Sequence, residues 1–125
     1  MALFTKFKTL TTTDETEIVQ IPQGYVAHLN VLFIGNSKVT NQNADVTVSL
    51  YAGKDEDGNF EDLLVDLADE TTVPAGEYLL EDNFIFVLQP GEVVTAKAAL
   101  AGKVRVAVTF DLLYTSALLN FRSPV

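Results

Sequence analysis

Apolar and polar residues alternate along most of the chain, and the alternation is most regular between Val73 and Phe110. Within Lys103 to Phe110, apolar side chains occupy every second position, which is the period of a β-strand with one buried face. Turn-forming residues divide the stretch at Pro74-Ala75-Gly76, Gln89-Pro90-Gly91 and Ala101-Gly102. The stretch therefore predicts an antiparallel meander in which Val106, Val108 and Phe110 are buried between two sheets.

The same period of two predicts further strands earlier in the chain. In Tyr25 to Gly35, the odd positions are predicted to form an inward apolar face: Ala27, Leu29, Val31 and Phe33. Ala44 to Ala52 is predicted to bury its even positions Val46, Val48 and Leu50, and to turn four others outward: Asp45, Thr47, Ser49 and Tyr51. Phe60 to Leu67 is predicted to end at Asp69-Glu70 and to place three apolar residues on one face: Leu63, Val65 and Leu67.

Shorter strands complete the pattern, and they are predicted at Glu15 to Ile21, Thr71 to Val73, Glu77 to Glu81, Phe84 to Leu88 and Glu92 to Ala99. Eight or nine short strands separated by turns are typical of an all-β, antiparallel β-sandwich, and the expected architecture is jelly-roll-like. A chain of 125 residues fits one domain. We expect residues 15–114 to form the sandwich, residues 1–14 an N-terminal arm or edge strand, and residues 115–125 a C-terminal arm.

Five large apolar residues lie outside the regular strand pattern: Phe4, Phe7, Leu118, Leu119 and Phe121. Ordering a chain terminus costs backbone entropy that apolar burial must outweigh, and a neighbouring subunit would offer that burial. The five residues are therefore predicted to form an assembly interface. The alternatives are that Phe4 and Phe7 cover the core edge of their own subunit and that the C-terminal segment folds back on its own domain.

The charge of the chain is strongly acidic and unevenly distributed. Seventeen acidic and eight basic residues give a net charge of -9, which repels phosphate backbones, so nucleic acid is not an expected partner. The acids concentrate between Lys54 and Asp82, whereas the first strand region holds Lys6 and Lys8 and no acid. This asymmetry would let copies of the protein associate with one another or with other basic surfaces. The simpler alternative is a solvated acidic loop region.

The residue inventory excludes several kinds of chemistry. The chain has no cysteine and His28 is its one histidine, so thiolate and multi-histidine metal sites are not available. No nucleophile elbow, P-loop or dinucleotide-binding motif is present, and we expect neither an enzyme nor a cofactor. No apolar run has membrane-spanning length and no secretory signal is recognisable, which predicts a soluble protein made in a cytoplasm and without a membrane partner.

The sequence contains residues of two further kinds of site, a calcium site and a carbohydrate-binding site. The loop from Asp55 to Asp62 crowds carboxylates as a calcium site would, but it lacks the glycine and glutamate spacing of an EF-hand, so a solvated hairpin is expected. A carbohydrate-binding sandwich would present exposed rings to a sugar. Tyr25, Tyr51 and Tyr78 are the candidates for such rings, although the chain has no tryptophan.

The order of strands and turns resembles that of small all-β virion proteins of tailed bacteriophages. The resembling segments are IPQGYVAHLNVLFIGNS, VTVSLYAG, VPAGEYLLEDNFIFVLQPGEVV and AGKVRVAVTFDLL. The shared turn chemistry lies at Pro22 to Gly24, Asn36, Val73 to Gly76 and Leu88 to Glu92, and the closing valine-rich strand at Val104 to Phe110.

The resemblance implies a non-enzymatic structural protein located in the virion and made in the host cytoplasm. Its partners would be further copies of itself and other virion proteins such as the major capsid protein. Capsid decoration or cementing is the role it favours. The alternatives are a tail, neck or fibre-adaptor component and, from another class, a carbohydrate-binding module.

Overall fold

A computed structural model describes residues 2–82, 84 and 86–115, and these form a β-sandwich of nine strands. The strands are β1 (Ala2–Leu10), β2 (Thr16–Gln20), β3 (Tyr25–Asn36), β4 (Ala44–Lys54), β5 (Phe60–Val73), β6 (Tyr78–Glu81), β7 (Val87–Leu88), β8 (Val93–Ala98) and β9 (Val104–Tyr114). A short 3₁₀ turn, Lys38–Thr40, lies between β3 and β4. The predicted all-β fold class is confirmed.

Two antiparallel sheets make up the sandwich. The first sheet has the order β1-β9-β3-β6, with β7 also paired to β3, and the second has the order β2-β8-β4-β5. The pairing is nested along the chain, because β1 pairs with β9, β2 with β8, β3 with β6 and β7, and β4 with β5. This nested pairing brings the first and last strands of the chain side by side in the first sheet of the sandwich.

The core lies between the two sheets and is built from inward-facing β-branched and aliphatic side chains. In β9, Val104, Val106 and Val108 are fully buried and Phe110 is 2% exposed, as the alternation predicted. The inward residues of β4 are buried opposite the small residues Ala96 and Ala98 of β8. Small residues facing larger ones let the layers interdigitate at the density of a protein interior.

Strand β1 is the edge strand of the first sheet and is integral to the sandwich. It pairs with β9 in unbroken register from Ala2 opposite Leu112 to Leu10 opposite Val104. Leu10 is fully buried, and the ring of Phe4 stacks on that of Phe110 with centroids 6.0 Å apart. The N-terminal segment is therefore tied down along its length rather than extended as a free arm.

A β-bulge in β3 reverses the facing that the sequence predicted for half of the strand. Leu29 lies opposite Phe110 but Val31 lies opposite Thr109, so Asn30 is the extra residue. Because side chains alternate with period two, one extra residue moves every later side chain to the other face. Leu32 and Ile34 are fully buried, and the prediction that Val31 and Phe33 face the core is wrong.

Strand β5 is longer and less regular than predicted. It does not end at Asp69-Glu70 but continues through Thr71 to Val73, with three register irregularities against β4. Glu70 has a positive φ of 45° and its N–H donates to Thr47 Oγ1 at 3.0 Å, which holds the irregular segment in place.

The irregularities also change which side chains of β5 and β4 share a face. Leu63 lies opposite Tyr51 and Val65 opposite Leu50, so these two apolar residues do not share a face as predicted. Ser49, which the alternation predicts to face outward, is only 4% exposed, and its hydroxyl donates to Asp66 Oδ1 at 2.6 Å. The bulges therefore redistribute exposed and covered residues along this edge of the second sheet.

Candidate functional site

A row of apolar side chains crosses the outside of the first sheet. Phe7 of β1 lies opposite Ala107 of β9, Ala107 lies opposite Phe33 of β3, and Phe33 lies opposite Leu80 of β6. Phe7 is 58% exposed and Leu80 is 53% exposed, while Phe33 is half-buried. Four adjacent strands thus present one continuous apolar row to the exterior.

Further apolar residues widen this row into a patch. Leu3 lies four residues before Phe7 on the same face of β1, Val31 lies two residues before Phe33, and Tyr78 lies two residues before Leu80. Tyr78 is 67% exposed and its ring stacks on that of Phe33 with centroids 5.7 Å apart. We call this surface the outer apolar face: Leu3, Phe7, Val31, Phe33, Tyr78 and Leu80. Contiguous apolar surfaces of this kind on a soluble domain mark interaction sites.

Cationic groups border the outer apolar face on one side. The Arg105 guanidinium lies over the ring of Phe7, 5.1 Å from its centroid. Arg105 and Lys103 also line an open depression of about 510 Å³, together with Phe33 and Tyr78. Glu77 lines the same depression, so a partner on this face would meet apolar surface at the centre and charged groups of both signs at the rim.

The outside of the second sheet has the opposite character. The two carboxylate oxygens of Glu15 accept hydrogen bonds from Tyr51 at 3.0 Å and from Thr95 at 2.6 Å. Desolvation raises the pKa of the Tyr51 hydroxyl, and its bond to Glu15 raises it further. Lys54 forms an ion pair with Glu17 at 2.6 Å. These polar groups of the second sheet bond to one another, whereas no other described residues cover the outer apolar face.

The predicted interface residues have different positions. Phe7 lies on the outer apolar face. Phe4 instead points to the inner side of its sheet, where it stacks on Phe110 and remains 42% exposed. Leu118, Leu119 and Phe121 lie outside the described residues. The sequence prediction missed Phe33, because the bulge at Asn30 was not recognisable, and it missed Leu80, because the register that places β6 beside β3 is a tertiary property.

Comparison with known proteins gives a fold relationship. No protein-family profile matches the sequence, and no curated protein is significantly similar to it. Among solved structures, the chain is similar to a chain of the acidic stable capsid structure of Helicobacter pylori bacteriophage KHP30. The two are 13% identical with a TM-score of 0.50, and the match covers 90% of this chain and 92% of that one. At this identity the similarity shows a shared fold over nearly the whole of both chains.

Metal-binding side chains are not clustered in the part of the chain that the structure describes. His28 is exposed on β3. Within residues 2–82, 84 and 86–115, no group of three or more histidine, aspartate or glutamate side chains is placed to hold a metal ion. No helix in this part of the chain has the length and hydropathy to cross a membrane.

The acidic hairpin between β4 and β5 is held together by the carboxylate of Asp55. Its Oδ1 accepts from the N–H groups of Asp57 at 2.9 Å and Asn59 at 2.8 Å, and its Oδ2 accepts from Asn59 Nδ2 at 3.1 Å. The backbone bond from Asn59 is the main reason that the pKa of Asp55 lies below its usual value. Gly58, with a φ of 84°, allows the chain to turn. The Asp55 carboxylate at the start of the loop therefore stabilises the turn.

We expect the hairpin to bind calcium no more tightly than a generic acidic surface does. Calcium requires six to eight oxygen ligands, and Asp55 would have to break its bonds to the loop to become one of them. Calorimetric titration of the protein with Ca²⁺ should show no saturable heat at micromolar concentrations. Micromolar binding that disappears in Asp57→Ala would contradict this prediction.

Proposed function

We propose that the protein is a non-enzymatic virion structural protein of a tailed phage, and that it decorates or cements the capsid shell. The observation that carries the proposal is the outer apolar face, which spans four strands and is uncovered among the described residues. The fold shared with a chain of a phage capsid structure supports the same conclusion. An apolar sheet face with a charged rim is suited to docking on another folded protein.

The mechanism is stabilisation by mass action. A protein that binds the assembled lattice and has no affinity for free subunits lowers the free energy of the lattice by RT ln(1 + [L]/Kd). A surface that presents apolar side chains from four strands at once can bridge neighbouring subunits of a shell. The partners are then the major capsid protein and further copies of this chain, and neither nucleic acid nor membrane takes part.

A tail, neck or fibre-adaptor position would use the same surface. Both positions require an apolar docking face, so the face does not distinguish them, and the number of copies per particle does. A shell protein is present in proportion to the major capsid protein, whereas a tail component is present in a small fixed number.

The depression beside Tyr78 favours carbohydrate binding as a second candidate function. Tyr78 is an exposed ring next to Phe33, and the polar groups of Arg105, Lys103 and Glu77 also line the depression. The two other candidate rings are engaged within the protein, since Tyr25 packs against Tyr114 and Tyr51 against Phe60. Glycan-array binding that is lost in Tyr78→Ala would support this function over the structural one.

The proposed function is tested on purified phage particles. Mass spectrometry with copy-number estimation should find the protein in a fixed ratio to the major capsid protein. Particles lacking the protein should lose their genome or shell integrity at a lower temperature, and added purified protein should restore it. Absence from the particle would overturn the virion role, and a small copy number would overturn shell decoration in favour of a tail position.

A further inference from the structure

Each sheet has two edge strands, and one edge of each sheet, β1 of the first and β5 of the second, carries charge of opposite sign. Strand β1 ends the first sheet and contains Lys6 and Lys8 but no acid. Strand β5 ends the second sheet and contains no base but five acids: Glu61, Asp62, Asp66, Asp69 and Glu70. Lys6 and Lys8 are exposed, and so are all five acids.

Both edges also expose large apolar side chains among their charges. On β1, Phe4 is 42% exposed on the inner side of the sheet, whereas Leu3 and Phe7 belong to the outer apolar face. On β5, Leu63 is 54% exposed, Leu64 50% and Val65 37%. Exposed sheet edges with apolar side chains are templates for association, and natural proteins protect them with charge and bulges. The lysines of β1 oppose its pairing with a second β1 edge, and the acids and bulges of β5 oppose its pairing with a second β5 edge.

We propose that the β1 edge of one copy of the protein packs against the β5 edge of a second copy. The pairing deepens the proposed function by naming the surfaces through which neighbouring copies contact one another on the shell. Lysines of one copy meet carboxylates of the next, and the exposed apolar side chains of both edges are covered together. The irregular register of β5 makes this a contact between side chains rather than a continuous backbone ladder.

Electrostatics selects this pairing over the two symmetric ones. A β1 edge facing a second β1 edge would place lysines against lysines, and two β5 edges would place acids against acids. Like charges across an interface cost several kcal/mol and suppress the wrong partner. A contact between two different surfaces is heterologous, so repetition closes a ring or extends a filament.

The size of the contact fits association on a surface rather than a stable dimer in solution. Strand β1 has nine residues, which at about 3.4 Å each give an edge roughly 30 Å long. The two sheets lie about 10 Å apart, so with their side chains this side of the sandwich is about 20 Å deep. The length and the depth together give a contact area of roughly 600 Å² per copy. A typical stable interface buries about 800 Å² per partner. A lattice that holds copies side by side would raise their effective concentration and complete the contact.

Crosslinking of single-cysteine variants tests the pairing, because the chain contains no native cysteine. Lys6→Cys marks the β1 edge, Leu64→Cys marks the β5 edge, and Lys97→Cys, at the exposed position of the central strand β8, is the matched control. One variant of each mixture is isotopically labelled, so mass spectrometry separates mixed from like dimers formed by a short thiol-reactive crosslinker. Concentrations up to about 1 mM populate a contact with a millimolar dissociation constant.

The mixture of Lys6→Cys and Leu64→Cys should give about tenfold more mixed dimer than like dimer of either variant. It should also give about tenfold more mixed dimer than a mixture of either variant with Lys97→Cys. Raising the salt concentration to about 1 M shortens the screening length to about 3 Å and should reduce the yield several-fold. Adding Lys8→Glu to the Lys6→Cys variant should also reduce the yield of mixed dimer. Adding Glu61→Lys to the Leu64→Cys variant in the same mixture should restore that yield.

Three outcomes would overturn the pairing. Equal yields of mixed and like dimers indicate random collision, and an excess of Leu64→Cys like dimer indicates a symmetric β5 contact. Crosslinking of Leu64→Cys to a shell protein on particles, with no mixed dimer, indicates that the shell covers this edge. The dimer yields are measured on the isolated protein, without particles, so failure of the pairing and failure of the virion role are distinguishable.

Discussion

Phe110→Ala is expected to lower the free energy of unfolding by about 3–5 kcal/mol, the range for removing a buried aromatic ring when the site cannot collapse. Phe110 is 2% exposed and the inward residues that precede it on the strand are fully buried valines, which are stiff side chains that cannot swing into the vacated space. The stacked ring of Phe4 also loses its partner, and with it part of what holds β1 on the sheet. A domain stability of about 5–15 kcal/mol makes this loss large.

Phe7→Ala is the matched control, because the same side chain is removed from the same sheet at a site that is 58% exposed. It should cost about 1 kcal/mol or less, chiefly through the lost contact with Arg105. Thermal unfolding followed by circular dichroism compares the two, with about 3–5 °C expected per kcal/mol for a domain of this size. Equal melting temperatures for Phe110→Ala and the parent chain would show that Phe110 is not a core residue.

The double variant Phe7→Glu/Leu80→Glu is expected to bind shells at least about 100-fold more weakly than the parent protein while it remains folded. Both residues are more than half exposed, so the isolated domain loses little stability. In the complex each replacement forfeits about 1.5–3 kcal/mol of apolar burial, and about 1.4 kcal/mol corresponds to a tenfold change in affinity. Burying two unpaired carboxylates adds to the loss.

Lys97→Glu is the control for this experiment, because it changes the net charge by the same amount on the outside of the second sheet. It should leave binding to shells within a few-fold of the parent protein. Cosedimentation of labelled protein with particles that lack it measures both affinities, and circular dichroism verifies the fold. Unchanged binding of the double variant would show that the outer apolar face is not the docking surface.

The strands with regular alternation were predictable from the sequence because local pattern and tertiary environment agree in them. In β9, the inward positions from Val104 to Phe110 are β-branched or aromatic and each is buried. The same holds for Val46 and Val48 of β4. The short strand β6 was placed within one residue of its start, since Pro74 and Gly76 mark the turn before it. Gly76 has a φ of 75° and a Cβ there would lie 3.2 Å from Lys38 Cβ, so the turn requires glycine.

The remaining features depend on bulges, which leave no mark in a pattern of period two. Asn30 is a polar residue in a strand and gave no reason to expect that the facing of Val31 and Phe33 reverses after it. The extension of β5 past Glu70 depends on the hydroxyl of Thr47, a residue on a different strand. The outer apolar face combines both difficulties, because it needs the reversed half of β3 and the register of three other strands.

Nested pairing also constrains the order in which the sheets can form during folding. Strands β4 and β5 are joined by one short hairpin and can pair early, whereas Thr5 and Thr109, whose hydroxyls are 2.9 Å apart, are separated by 104 positions along the chain. Closing so long a loop must be compensated by contacts that exist only once β9 lies beside β3, so β1 is expected to dock last. Until then β9 presents an unpaired edge, and this is the stage at which unfinished chains are most exposed to aggregation.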